Sequence, residues 1–403
     1  MRLHAPNPRT PFIWLRDLGD RVRGRRAPVL ARWGWYRAPG GPGPLLWVYA
    51  PDCAGARVGA EIVRGIRSVR KDVRAVVTAS PAGCGRVGRG KGAGAEGCGV
   101  SVRSVLAAYP GTAAAPGIAD HQRAARRAVA RLRPDGFLAV HGLPPGQALK
   151  GLAEEGVPVA AVDCEPPVRR PPGLRLAHVL PCGEGQAGRW RRAGEEPAEP
   201  ADLEVLLART DVEPTLRAAL IPGEGRRLLW VDRLPEDPDT RALFLDRWAG
   251  GDRTLVVSGG KAPGGGEWPV VRLSEWDRGR EPVPRGTLVW MDEPRWLPAV
   301  AASAFAAVLW RPGREALWQA LAAGLPTLTG GKATARLRDL NVEVEAAAPE
   351  VPDWAAAEAG LSDWEERVFE WRDQQARARQ AFWEARRRAE RSMAVLDQWA
   401  DAW

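Results

Sequence analysis

The chain has 403 residues, enough for two or three domains, and its 45% hydrophobic and 27% charged content is that of a soluble globular protein. That balance excludes a disordered chain. A net charge of +9, carried almost wholly by arginine, favours acidic partners such as phosphates, nucleic acid or an anionic membrane surface.

The first residues, MRLHAPNPRTPFIWLRDLGDRV, hold no apolar run of the length a signal peptide or membrane-crossing helix needs. At most Phe12, Ile13, Trp14 and Leu15, beside Arg16, Arg21 and Arg23, would rest on a membrane surface. Strand-like and helix-like segments then alternate. LLWVYA (45–50) precedes the amphipathic VGAEIVRGIRSV (58–69), and VRAVVTA (73–79) follows. A helix is predicted over 119–133, a strand over 135–142, a helix over 146–156 and a strand over 157–163. Continuous apolar strands alternating with helices predict a parallel α/β sheet covered on both faces.

The acidic, proline-punctuated stretch 192–227 is the predicted interdomain connection. Alternation resumes through RLLWVDRL (227–234), RTLVVSGG (253–260), GTLVWMDE (286–293) and REALWQALAAGLPTLTG (314–330). Two successive α/β halves predict two Rossmann-like domains facing a cleft, divided at 1–205 and 206–403, with ligands beyond the carboxyl ends of the strands. Ser362-Asp363-Trp364-Glu365 has the capping-box pattern, so a long helix is predicted from there to the end, crossing back over the protein.

Chemistry-bearing motifs are sparse. GRVGRGKGAG (85–94) nearly matches a P-loop but has Gly92 where a hydroxyl should meet magnesium, and reads as a plain glycine loop. VVSGGKAPGGGEW (256–268) offers backbone N–H groups and the Lys261 ammonium to an anion, or is a simple linker. The histidines His4, His121, His141 and His178 are isolated, and no metal, cofactor or serine-hydrolase motif appears. Cys53, Cys84, Cys98, Cys164 and Cys182 lack CxxC spacing, which predicts reduced thiols in a cytosolic compartment.

LLWVYAPDCAGARV, RLRPDGFLAVHGLPPG, GVPVAAVDCEP and REALWQALAAGLPTLTGGKAT occur in an order that resembles the Kdo (3-deoxy-D-manno-octulosonic acid) transferases of lipopolysaccharide synthesis. These are GT-B glycosyltransferases, and the resemblance runs along most of the chain. It implies an inverting, metal-independent transfer of Kdo from CMP-Kdo to a lipid A precursor, at the cytoplasmic face of the inner membrane. It also places Tyr49 at the family's His, Asp52 at its Ser, and Gly55 at its catalytic Glu. His141 and Leu143 stand at two further family glutamates. On the nucleotide side the resemblance points to Gln319, in place of a carboxylate, with Lys261, Arg314, Glu315 and Lys332 nearby.

Glycine takes no proton, so Asp52 is the candidate catalytic base, against the plainer role of a turn-forming residue. Two other readings remain open. One is a degenerate paralogue that binds a nucleotide sugar or a partner enzyme without turnover. The other is a nucleic-acid-binding protein, for which no recognition motif accompanies the charge.

Overall fold

The structure is a computed structural model and describes residues 26–79, 112–211, 227–249, 253–259, 268–276, 287–292, 296–331 and 342–403. The chain divides into two compact units, residues 1–202 with 390–403, and residues 203–389.

In the first unit the chain runs α1 (Arg26–Arg32), β1 (Leu45–Ala50), α2 (Cys53–Val69), β2 (Arg74–Ala79), β3 (Thr112–Pro116) and α3 (Gln122–Leu132). It continues through β4 (Gly136–Val140), α4 (Gly146–Glu154), β5 (Val159–Val162), β6 (Leu176–Leu180) and α5 (Glu184–Arg192). All six strands are parallel, in the order β3-β2-β1-β4-β5-β6. Every residue of β1 and β4 is buried, as continuous apolar strands under helices on both faces require.

The second unit repeats the plan. It contains β7 (Arg227–Val231), α6 (Pro238–Trp248), β8 (Arg253–Val257), β9 (Val270–Arg272), α7 (Leu273–Trp276), β10 (Leu288–Trp290) and α8 (Leu297–Ser303). Then come β11 (Ala306–Trp310), α9 (Arg314–Ala322), β12 (Thr327–Gly330), α10 (Val342–Ala347), β13 (Glu350–Val351), α11 (Trp354–Glu366) and α12 (Val368–Asp401). Its seven parallel strands are ordered β13-β12-β11-β7-β8-β10-β9. The α/β reading of the sequence holds in both units.

Tryptophan builds both cores. Trp47, Trp190, Trp230, Trp248, Trp296 and Trp318 are fully buried. Buried indoles need partners for their N–H, and several are built in. Trp47 donates to Thr78 Oγ1 at 3.0 Å, Trp190 to the Cys164 carbonyl at 2.7 Å, and Trp230 to Ser258 Oγ at 2.9 Å.

The C-terminal helices differ from the predicted single element. Asp353, not Ser362, caps α11, its carboxylate accepting the Ala356 N–H at 2.8 Å. Ser362 lies inside that helix and its hydroxyl donates to the Glu358 carbonyl at 2.8 Å, the back-bonding of a helix-interior serine. The chain breaks at Arg367 and starts again as α12. The last residues of α12 belong to the first unit. There Arg70 donates to the Ala400 and Trp403 carbonyls at 2.7 and 3.0 Å. The absent side chain of Gly136 leaves room for Trp399 and Trp403, since a Cβ there would stand 2.4 Å from the Trp403 ring.

Candidate functional site

In the first sheet the strand order reverses between β1 and β4, the position where open α/β sheets receive ligands at the carboxyl ends of their strands. Three residues that leave neighbouring strands meet there. Asp52 follows β1, His141 comes directly after β4, and Asp163 directly after β5.

His141 and Asp163 keep their backbone N–H groups in the sheet, donating to Val162 O and Leu180 O, each at 2.9 Å. Both then turn the chain with a left-handed backbone, at φ +62° and +48°. Few L-residues adopt that conformation, His and Asp more readily than most, and it tends to persist where function holds it. His141 Nδ1 lies 3.3 Å from Asp52 Oδ1, and Nε2 lies 3.6 Å from Asp163 Oδ2. The imidazole and the Asp163 carboxylate are buried, at 2% and 7% side-chain exposure, whereas Asp52 is 31% exposed. Of the three, Asp52 is therefore the group that faces solvent.

Asp52 also caps α2, and its Oδ1 accepts the Gly55 N–H at 2.7 Å. A turn-forming carboxylate and a candidate base are thus the same side chain. Gly55 has a reason of its own. A Cβ there would stand 3.1 Å from Asp52 Oδ1, from His141 Cγ and from the Val140 carbonyl. The space a side chain at 55 would need is filled by an imidazole arriving from β4.

Behind the carboxylates, burial first, and then the Cys164, Asp52 and Asp120 charges, push Tyr49 up to about 12. Burial, with the Asp163 charge, pushes the Cys164 thiol up. Neither group gives up its proton at neutral pH. Cys164 and Cys182 are buried and carry no disulfide, whereas Cys53 is disulfide-bonded. The expectation of reduced thiols throughout does not hold for Cys53, because spacing along a sequence does not show which cysteines meet in space. Among the described residues no group of three or more His, Cys, Asp or Glu is placed to hold a metal.

The nucleotide-side candidates are placed differently from one another. Arg314 is buried, with its guanidinium 3.1 Å from the equally buried Glu204 carboxylate. Gln319 accepts the Arg209 N–H at 3.0 Å and donates to the Arg209 carbonyl at 2.8 Å. Both side chains hold the segment 203–209 against α9. Glu315 is half-buried in the first turn of α9. Lys261 and Lys332 lie outside the described residues, as does the glycine loop 85–94.

Sequence reasoning missed Asp232. It follows β7, where the order of the second sheet reverses between β11 and β7. Its Oδ1 accepts the Trp310 N–H. Burial pushes its carboxyl up to about 7, against the lowering effect of the Trp310 and Arg233 backbone N–H groups and the Arg233 charge. Its place directly after the apolar run LLWV was the available signal, as it was for His141 and Asp163.

Among solved structures, the kitacinnamycin glycotransferase is 15% identical, with 90% of this chain and 98% of that chain covered at a TM-score of 0.52. A UDP-glycosyltransferase from Siraitia grosvenorii, solved with UDP, is 11% identical, with 89% and 99% covered at 0.52. The UDP-GlcNAc 2-epimerase from Neisseria meningitidis, bound to UDP-GlcNAc, is 10% identical, with 83% and 94% covered at 0.55. The fold is that of the GT-B glycosyltransferases. This GT-B-like fold carries both transferases and an epimerase, so the choice of reaction has to come from the site. No family profile matches the sequence, and no curated protein matches it.

Proposed function

We propose that the chain is a glycosyltransferase that moves a sugar from a nucleotide donor to an acceptor hydroxyl, with Asp52 as the proton acceptor and His141 behind it. The contact between these two side chains at the strand-order reversal, with Asp52 outermost, is the observation that carries this reading. As the acceptor oxygen bonds to the anomeric carbon and the bond from that carbon to the donor phosphate breaks, Asp52 takes the hydroxyl proton. The nucleotide leaves with the bonding electrons. The imidazole then shares the proton with the carboxylate, so the pair acts as one base.

The finer reading follows from the resemblance: CMP-Kdo as donor and a lipid A precursor as acceptor, met at the cytoplasmic face of the inner membrane. The UDP and UDP-GlcNAc in the similar structures widen the donor panel. A second reading, nucleotide binding without turnover, is favoured by Gly55, where a side chain would crowd Asp52 and His141 and no carboxylate stands.

The test is acceptor-dependent release of nucleotide from CMP-Kdo, UDP-GlcNAc and related donors. Asp52→Asn retains an N-cap of equal quality, so its melting temperature should stay near that of the parent. Its turnover should fall about 100-fold or more, the usual contribution of a general base. Saturable binding of a nucleotide with no release from any donor would favour the second reading, and full turnover by Asp52→Asn would remove Asp52 from the reaction.

A further inference from the structure

Away from the candidate site, one face of the first unit joins exposed apolar side chains to arginines that meet no carboxylate. Just past α1 the chain folds back, and the Trp35 N–H donates to the Leu30 carbonyl at 3.0 Å, which makes the two residues neighbours. Their side chains stand in solvent, Leu30 at 51% and Trp35 at 48% exposure. α3 supplies the charge. Arg123, Arg127 and Arg131 recur every four residues and so form one row along that helix. The guanidiniums of Arg127 and Arg131 lie over the Trp35 ring, 4.8 and 5.0 Å from its centre. Backbone carbonyls hold them there, Trp33 O at 3.0 Å and Tyr36 O at 3.1 Å, and a carbonyl leaves their charge uncompensated. No Asp or Glu occurs between Gln122 and Arg133. Asp120, before the helix, accepts the Gln147 N–H at 3.2 Å, and Glu154 lies 3.3 Å from Arg126, off this row. Elsewhere on the surface arginines are matched by acids, as Arg189 is by Glu165, Arg377 by Asp373 and Arg391 by Glu199.

We propose that this face docks on the surface of an anionic lipid bilayer, with Leu30 and Trp35 at headgroup level and Arg123, Arg127 and Arg131 against the lipid phosphates. Indoles settle in the headgroup zone, where one end is apolar and the other wet, and each arginine beside them adds attraction to an anionic leaflet. The occupant follows from the charge and from the ring. A single-stranded nucleic acid would stack its bases on an open aromatic face, whereas Trp35 already carries two guanidiniums over its ring. The core of a protein interface is depleted in charge, and here the charge lies over the exposed indole itself. The docking does not rest on the transferase reading.

The test is co-sedimentation of the full chain with vesicles of phosphatidylglycerol and phosphatidylcholine. The protein should bind these, and should be released by salt and by omission of the anionic lipid. Arg123→Gln, Arg127→Gln and Arg131→Gln together should lower partition by on the order of 100-fold. The same loss of charge at three other exposed arginines, Arg169→Gln, Arg372→Gln and Arg387→Gln, should lower it far less. Leu30→Ser with Trp35→Ser should lower it about 10-fold and keep the salt dependence. Should the first triple variant fold poorly, Arg123→Glu, at an exposed side chain, should still lower partition about 10-fold. Equal losses from the two triple variants would mean that overall charge draws the protein to vesicles, and would overturn the proposal. Absence of vesicle binding overturns it as well, whether the protein is instead retained on single-stranded RNA or pairs with itself through Trp35. Vesicle binding without sugar transfer would remove only the transferase reading, whereas transfer to a soluble acceptor without vesicle binding would remove only this docking face.

Discussion

Asp232 shows what burial does to a single carboxyl. Its folded value of about 7 lies above the ordinary 3.8, so the folded protein holds this proton more tightly than the unfolded chain. Its contribution to stability is therefore complete below about pH 4 and is lost as the pH rises through about 7. The full shift corresponds to roughly 4 kcal/mol. Asparagine keeps an oxygen for the Trp310 N–H and has no proton to lose. Urea titrations of Asp232→Asn should lack the part of the pH dependence between pH 4 and 7 that the parent shows, and an unchanged slope would contradict the assignment. At this scale the sequence was least legible. Gly55 reads along the chain as a lost carboxylate, yet its vacancy is filled by His141, 86 positions onward in number (141 − 55) but in contact across β1 and β4. Collinear motifs show which residue stands at a position, not which side chain from another strand occupies its space.

The elements were more legible, because their periodicity is local. Apolar runs became strands where no other structure would bury them so evenly, and Asp52, Asp237 and Asp353 each cap a helix through a carboxylate–backbone bond. The capping box at Ser362 misled because the pattern carries no knowledge of a helix already under way from Asp353. Likewise nothing in REALWQALA announces that Arg314 and Gln319 spend their polar groups on residues 204 and 209. The end of α12 carries a prediction at this scale. Leu396 is fully buried in a segment that belongs to the first unit. Leu396→Ala should destabilise that unit by about 2–5 kcal/mol. Amide hydrogen exchange should show lost protection in β1 and β4, with β7 and β11 unaffected; a loss confined to the second sheet would contradict the placement of this segment.

Across the whole molecule, part of the positive charge and of the tryptophan content serves the fold itself. Among the described residues, six tryptophans are fully buried in the two cores. No helix among the described residues is long and apolar enough to cross a membrane. At the surface, Arg127 and Arg131 lie over the Trp35 ring at 4.8 and 5.0 Å, and donate to the Trp33 and Tyr36 carbonyls. The fold class was legible because alternation of strands and helices sums over the whole chain. The meeting of Asp52, His141 and Asp163 was not, because these residues leave three separate strands.

The most direct test of that meeting of side chains is a cycle of turnover measurements on the parent, Asp52→Asn, His141→Gln and the double variant, using a donor the parent accepts. Residues that act as one unit lose their contributions together. Each single substitution should lower turnover by about 100-fold or more, and the double variant should be no slower than the slower single one. Losses that multiply in the double variant, or His141→Gln turning over like the parent, would contradict the account.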